Sequence, residues 1–169
     1  KHFSEVTAKY WVEPDASSSS YMKAIGWLFP REIINPLNNQ KAYFPSVTVP
    51  EPNWSLQVDR RFHNYVQRFG CVRHLQDNTD DPVVISRFND LGDSIMTAIV
   101  VAPFAENVVI FNDLGRLRVQ ECERVVGLRM ELTKCGAKVV EEGDTLTVYP
   151  SKLHGAEIEI APGALDALG

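Results

Sequence analysis

The sequence contains few cysteines, and they form no recognisable pattern. Cys71, Cys122 and Cys135 are odd in number and lack the spacing of metal ligands, and the four histidines form no ligand pattern either. The thiols are therefore typical of a reducing compartment, and we expect a cytoplasmic protein without disulfides. For the same reason no metal site and no cofactor are predicted.

Long apolar runs and an excess of basic residues are also missing. The longest apolar run, residues 94–105, is interrupted by Pro103 and is too short to span a bilayer, so a membrane segment is excluded. The chain has 17 Lys and Arg against 22 Asp and Glu, a net charge of -5, which argues against nucleic-acid or anionic-membrane partners. An anionic small molecule is still a candidate ligand, because a protein with a negative net charge can gather a few arginines in one cleft. No Gly-rich phosphate loop, nucleophile elbow or dinucleotide fingerprint is found.

The 169 residues, 44% of them hydrophobic, are enough for one sizeable core. The chain starts at Lys1 rather than Met, which indicates an engineered boundary or an excised piece. We therefore expect one domain or part of one.

The pattern of apolar residues, prolines and glycines predicts alternating strands and helices in the first half. A helix over residues 18–29 is capped by Asp15 or a following serine, and the apolar spacing of residues 54–69 predicts a second helix that ends at Gly70. Predicted strands cover residues 6–12, 31–37, 71–75 and 82–88, and a Pro-rich loop covers 38–53.

The second half repeats this order. A helix in "DSIMTAIVVAPFA" precedes a short strand, a helix from about Gln120 to Lys134 ends at Gly136, and "EEGD" predicts a hairpin between the last two strands. The fold class is therefore α/β, with duplicated strand-helix-strand-helix-strand-strand units of about 70 residues, one over residues 5–88 and one over 89–160.

Several strings resemble one family in its own order and at nearly its own spacings. "DASSSSYMKAI", "GDSIMTAIVVAPFA", "LRVQECER", "ELTKCGAKVVEEGDTLTV" and "LHGAEIE" resemble strings of the C-terminal domain of 5-enolpyruvylshikimate-3-phosphate synthases. The resemblance runs from about Val12 to Ile160. It implies two of the three units of an inside-out α/β barrel domain.

The resemblance also implies that this chain lacks parts of the family's enzyme. Neither the amino-terminal domain nor the Asn-Asp-His-Arg-Met string expected after "LHGAEIE" is present. Because the family's active site lies in the cleft between two domains, we expect the isolated chain to be inactive. An open barrel exposes strand edges, so self-association of the fragment is a further expectation.

The family transfers an enolpyruvyl group from phosphoenolpyruvate to the 5-hydroxyl of shikimate 3-phosphate, a reaction that needs a base, an acid and cations for the anions. By resemblance Asp93 is the catalytic base near the acceptor, although it is also a good helix N-cap. Glu121 corresponds to a proton-transfer partner, and Arg124 to the arginine that grips phosphoenolpyruvate. A solvated Glu-Arg pair on one helix face is the alternative interpretation of these two.

The departures from the family's strings bear on function. Gln120 replaces the family's Lys, a contact of the acceptor, and Arg116 replaces an Asn four residues earlier. This is either a compensating swap around the same anion or the sign of a different ligand. Arg118 is expected to be structural and to brace Glu121. The alternative functions are a non-catalytic binding or assembly module and, third, a UDP-N-acetylglucosamine enolpyruvyl transferase.

Overall fold

The computed structural model describes residues 13–34, 41–44, 55–70, 81–120 and 122–158. Single turns of 3-10 helix lie at Val58–Arg61, Gly92–Ser94 and Ala102–Phe104, and a π-helical turn lies at Arg87–Leu91. The helices are α1 (Ala16–Leu28), α2 (Phe62–Gln67), α3 (Ile95–Val101), α4 (Gly115–Val119) and α5 (Arg124–Lys134). The strands are β1 (Arg31–Ile34), β2 (Lys41–Phe44), β3 (Val83–Ser86), β4 (Val109–Asn112), β5 (Lys138–Glu142) and β6 (Thr145–Tyr149).

A four-stranded mixed sheet has the strand order β3-β4-β6-β5. β3 and β4 are parallel, with Val83 opposite Val109, and α3 lies in the crossover between them. β6 is antiparallel to both of its neighbours, β4 and β5. The predicted hairpin across "EEGD" and the strand within residues 82–88 are confirmed, and β3 belongs to the same sheet as that hairpin.

The core lies between this sheet and the helices. α3 is apolar, and most of its side chains are buried. Each large apolar side chain that is fully buried stabilises the folded state by about 1.5–3 kcal/mol. The fully buried side chains include Ile85, Phe111, Leu146 and Val148 of the sheet, Ile95 and Ile99 of α3, Leu117 of α4, and Phe62, Val66 and Phe69 around α2.

The first helix begins at Ala16, two residues before the predicted start, and of the two caps that the sequence offered it uses Asp15. Asp15 is its N-cap, and its carboxylate accepts the backbone N–H of Ser17 at 2.9 Å and the hydroxyl of Ser18 at 2.5 Å. These bonds, the one from Ser18 foremost, hold the pKa of Asp15 below its usual value. α1 also reaches the second half of the chain, because the buried hydroxyls of Ser20 and Thr97 lie 2.7 Å apart in a hydrogen bond.

The prediction of a loop over residues 38–53 is wrong for residues 41–44. They form β2, which is antiparallel to β1, with Arg31 opposite Phe44. The prolines that suggested a loop begin at Pro45, whereas the segment before them has Tyr and Phe, which favour strands. Residues 45–54 lie outside the described residues.

The predicted helix over residues 54–69 is much shorter in the structure. The α-helix covers only Phe62–Gln67, because Gln57 is extended and tied to the start of α1. Its side-chain carbonyl accepts the N–H of Ala16 at 2.7 Å, and its amide donates to the carbonyl of Pro14 at 2.8 Å. α2 ends at Gln67, three residues before the predicted stop at Gly70, which has a positive φ of 78°.

The other helix stop, Gly136, also has a positive φ, at 92°. The predicted strands at residues 6–12 and 71–75 lie outside the described residues, so the duplication stays a prediction. Among the described helices, none is long and apolar enough to cross a bilayer.

Candidate functional site

The first part of the candidate site is the turn that leads into α3. Gly92 has a φ of 37°, and the carboxylate of Asp59 packs directly against its Cα. The same carboxylate accepts the backbone N–H of Ser94 at 2.6 Å. Asp59 therefore supplies the hydrogen bond that an N-cap would give. The interpretation of Asp93 as the N-cap of this helix is wrong, since the N-cap position is Ser94.

The carboxylate of Asp93 instead forms an ion pair with Arg87. Arg87 Nη2 donates to Asp93 Oδ1 at 2.5 Å. The Arg87 side chain is only 12% exposed, whereas that of Asp93 is 47% exposed. Arg87 Nε is buried and has no hydrogen-bond acceptor among the described residues. The sequence analysis missed Arg87, although a cation directly after a buried strand and six residues before Asp93 was a usable signal.

The π-helical turn that carries Arg87 is braced at both ends. Asp90 accepts the backbone N–H of Ser86 at 2.8 Å through Oδ2 and the hydroxyl of Tyr65 at 2.5 Å through Oδ1. The hydrogen bond to Asp90 raises the pKa of Tyr65. The Ser86 hydroxyl donates to Asp113, which follows the neighbouring strand. The backbone at Arg87 is therefore fixed by Asp90 within the turn and by Asp113 of the neighbouring strand end.

The second part of the site is the junction of α4 and α5. The predicted helix start at about Gln120 is wrong, because α4 ends at Val119 and Gln120 is extended, with φ -77° and ψ -179°. α5 begins at Arg124, where Glu123 is the N-cap and its carboxylate accepts the N–H groups of the next two residues at 3.0 and 3.2 Å. A capping carboxylate before the helix explains this later start.

The structure describes three of the four predicted site residues at this junction, Arg116, Gln120 and Arg124. Glu121 lies outside the described residues, so the expectation that it shares a helix face with Arg124 stays a prediction. Arg124 Nη1 lies 3.4 Å from Gln120 Oε1 and 3.9 Å from Met96 Sδ. Arg116 is exposed and forms no hydrogen bond or ion pair with a described residue.

The two parts of the site meet through α3. Met96 lies three residues after Asp93, and it contacts Arg124. The structure therefore shows two pairs, Arg87 with Asp93 and Gln120 with Arg124, and the second pair touches the first turn of α3 through Met96. It does not show Arg116 joining either pair. Within the described parts of the chain, no cluster of side chains could hold a metal ion.

Arg118 fixes the junction to the sheet. Its guanidinium donates to Glu141 at 2.7 Å, to Asp144 at 3.0 Å and to Glu123 at 3.3 Å. The hydrogen bond to Glu141 raises the pKa of Arg118, and the pKa of Glu141 is in turn lowered by Arg118. Since Glu123 is the N-cap of α5, Arg118 links the start of that helix to the β5–β6 hairpin. Its expected contact with Glu121 stays a prediction.

The fold and the site together describe an α/β domain with a carboxylate and two arginines near the start of one apolar helix, an arrangement suited to binding an anion that carries hydroxyl groups. Comparison with known proteins makes the class specific. The profile of the EPSP synthase family, 3-phosphoshikimate 1-carboxyvinyltransferase, matches residues 70–161. The chain belongs to the EPSP synthase family, which confirms the resemblance seen in the sequence.

Curated relatives with the name 3-phosphoshikimate 1-carboxyvinyltransferase match nearly the whole chain. The proteins of Idiomarina loihiensis and Colwellia psychrerythraea are 31% and 30% identical over 90% and 89% of this chain. The protein of Trichormus variabilis is 29% identical over 89% of it. In each case the match covers 34% of the relative, so the chain spans about a third of the length of these proteins.

Proposed function

We propose that this chain is part of an enzyme that transfers the enolpyruvyl group of phosphoenolpyruvate to the 5-hydroxyl of shikimate 3-phosphate and releases phosphate. Membership of the EPSP synthase family supports the reaction. The observation that supports it for this chain is the contact of Arg124 with Met96, which lies three residues after Asp93. The names of the relatives favour this acceptor over UDP-N-acetylglucosamine.

The roles of the residues follow from their chemistry. Asp93 is half exposed and uses only Oδ1 in its ion pair, so Oδ2 is available to accept the hydroxyl of the acceptor. Arg124 offers a planar fork that can hold the carboxylate or phosphate of phosphoenolpyruvate at two points. Glu121 transfers the proton in the proposed mechanism. Gln120 orients Arg124 through its 3.4 Å contact, and Arg116 supplies an exposed cation nearby in the chain.

The proposal includes the finer architecture. The chain supplies two of the three units of an inside-out barrel domain, in the cytoplasm, and the amino-terminal domain of the enzyme supplies the other wall of the cleft. Because catalysis depends on holding both substrates between the two walls, the 169-residue chain alone should show no turnover.

The test uses the full-length protein that contains this chain, with shikimate 3-phosphate and phosphoenolpyruvate, and follows phosphate release. Asp93→Asn and Arg124→Ala are each expected to lower kcat/KM by at least about 100-fold, since each removes a charged group from the transition state. Arg31→Gln removes an exposed positive charge on β1 and serves as the matched control. Variants of Asp93 and Arg124 that keep full activity would refute the roles.

A non-catalytic module is the second candidate, and Gln120 is the observation that favours it, because the family's strings have Lys there. The variant Gln120→Lys separates the two candidates. In an enzyme that uses Arg116 instead, Arg116→Ala lowers activity and Gln120→Lys restores it. A folded full-length protein that binds shikimate 3-phosphate without releasing phosphate would favour the module.

A further inference from the structure

Arg87 is a buried cation whose position the proposed mechanism does not yet explain. Its side chain is 12% exposed, Nη2 is bonded to Asp93, and the buried Nε has no acceptor among the described residues. A buried donor without an acceptor destabilises the folded state. A buried, unpaired Nε in a native structure therefore needs an explanation, and a functional role of Arg87 would provide one.

The contacts around Arg87 allow it to fix one oxygen of a neighbouring carboxylate. Its backbone follows β3 directly and lies in the turn that Asp90 braces through the N–H of Ser86. The Asp93 carboxylate does not cap the helix, because Asp59 accepts the backbone N–H of Ser94 in its place. Asp93 Oδ1 is therefore held by Arg87, while Oδ2 forms no hydrogen bond with a described residue.

We propose that Arg87 is a positioning residue, which holds Asp93 through Oδ1 so that Oδ2 is presented to a hydroxyl of the phosphorylated acceptor. This inference rests on the proposed function. Without Arg87 the carboxylate of Asp93 would be free to rotate, and its oxygen would face the acceptor only part of the time. The arginine itself acts through Asp93 and has no separate role in the chemistry.

The test measures phosphate release by the full-length protein with Arg87→Met and Arg87→Lys, at varied shikimate 3-phosphate and at varied phosphoenolpyruvate. Arg87→Met is expected to lower kcat about 10- to 100-fold and to raise KM for shikimate 3-phosphate, with KM for phosphoenolpyruvate unchanged. Arg87→Lys keeps the charge but lacks the planar fork, so it should recover only part of the activity. A third variant, Arg87→Ala, leaves space for a free guanidinium ion beside Asp93. Added guanidinium should therefore partly restore its kcat.

The matched control is Arg61→Met. Arg61 donates to the carbonyl of Asn89 at 3.1 Å on the same turn, without a contact to Asp93. It is expected to leave both constants near their original values. The double variant Arg87→Met with Asp93→Asn should be no worse than Asp93→Asn alone, because the arginine acts through that carboxylate.

The outcomes separate the inference from the function it rests on. If the original protein releases no phosphate, the proposed function fails and the inference fails with it. If the original protein is active and Arg87→Met keeps kcat and KM within about twofold, or the two variants multiply their losses, the inference alone is overturned.

Discussion

The sharpest residue-scale feature is the turn at Gly92, where a side chain 33 residues earlier decides the local structure. Asp59 fills the space beside the Gly92 Cα and caps the backbone of Ser94. A sequence pattern can identify Asp93 as a helix cap by its position, but not that a distant carboxylate already holds that bond. Asp15, in contrast, bonds to Ser17 and Ser18, which lie two and three residues further along the chain. A local sequence pattern contains such a contact, so the cap at Asp15 is predicted correctly.

Gly92→Ala should therefore destabilise the protein by about 1–3 kcal/mol, because the new Cβ meets Asp59 and the backbone has a positive φ. Gly127→Ala is the matched control, since a Cβ there meets nothing within 4 Å in the interior of α5. That change should stabilise the chain by about 0.5–1 kcal/mol. Urea denaturation of both variants measures the two effects, and equal midpoints would contradict the strain at Gly92.

Arg118→Met should lower the free energy of unfolding by about 1–3 kcal/mol at neutral pH, because the partly buried carboxylate of Glu141 loses one of its two arginine donors. Arg118 lowers the folded-state pKa of Glu141, so this stabilisation is complete above the unfolded value near 4.5 and is lost as pH falls through the lower folded value. The deficit of the variant should thus shrink in acid. Arg129→Met, which loses one bond to Glu141, is the milder control. A deficit independent of pH would contradict the ion pair.

At the scale of elements, strands and helices with local signals are predicted well. β1, β3, β4 and the β5–β6 hairpin have apolar runs between turn residues, and all are found. The failures share a physical cause. β2 exists through pairing with β1, and α2 is shortened because Gln57 is bound to the start of α1, so both depend on contacts that no local pattern contains.

Asp15→Ala should destabilise the fold by about 1 kcal/mol, the usual loss for an N-cap carboxylate, by freeing the first N–H groups of α1. Asp15→Asn keeps an acceptor at the same place and should lose only a part of this. Thermal unfolding of the two variants at neutral pH makes the comparison. Equal losses in both would indicate that charge, rather than capping, is the stabilising factor.

At the scale of the whole molecule, two apolar side chains next to site residues are almost fully exposed. Phe88, beside Arg87, is 81% exposed, and Val119, beside Gln120, is 83% exposed. Apolar surface around a candidate site is typical of a face that another domain covers. The family strings predicted Asp93, Glu121, Arg124, Gln120 and Arg116 as site residues, and their roles stay predictions. The exposure of these two apolar side chains and the ion pair of Asp93 with Arg87 required the structure.

The isolated 169-residue chain is expected to self-associate through these exposed apolar side chains at raised concentration. Sedimentation velocity at several concentrations measures it, and the double variant Phe88→Ser with Val119→Ser should shift the chain toward monomer. Leu56→Ser, which removes another apolar side chain that is 95% exposed, is the comparison. A chain that sediments as a monomer throughout would contradict the expectation.

The position of β6 between β4 and β5 has a consequence for synthesis on the ribosome. The strand that completes the sheet is the last of the four to be translated, since it begins at Thr145. Until β6 is available, β4 has an open edge and β5 has no strand partner, so the new chain depends on chaperones or on fast closure to avoid wrong pairing. A chain that ended before Thr145 would leave β3 and β4 as a parallel pair, with β5 unable to join them.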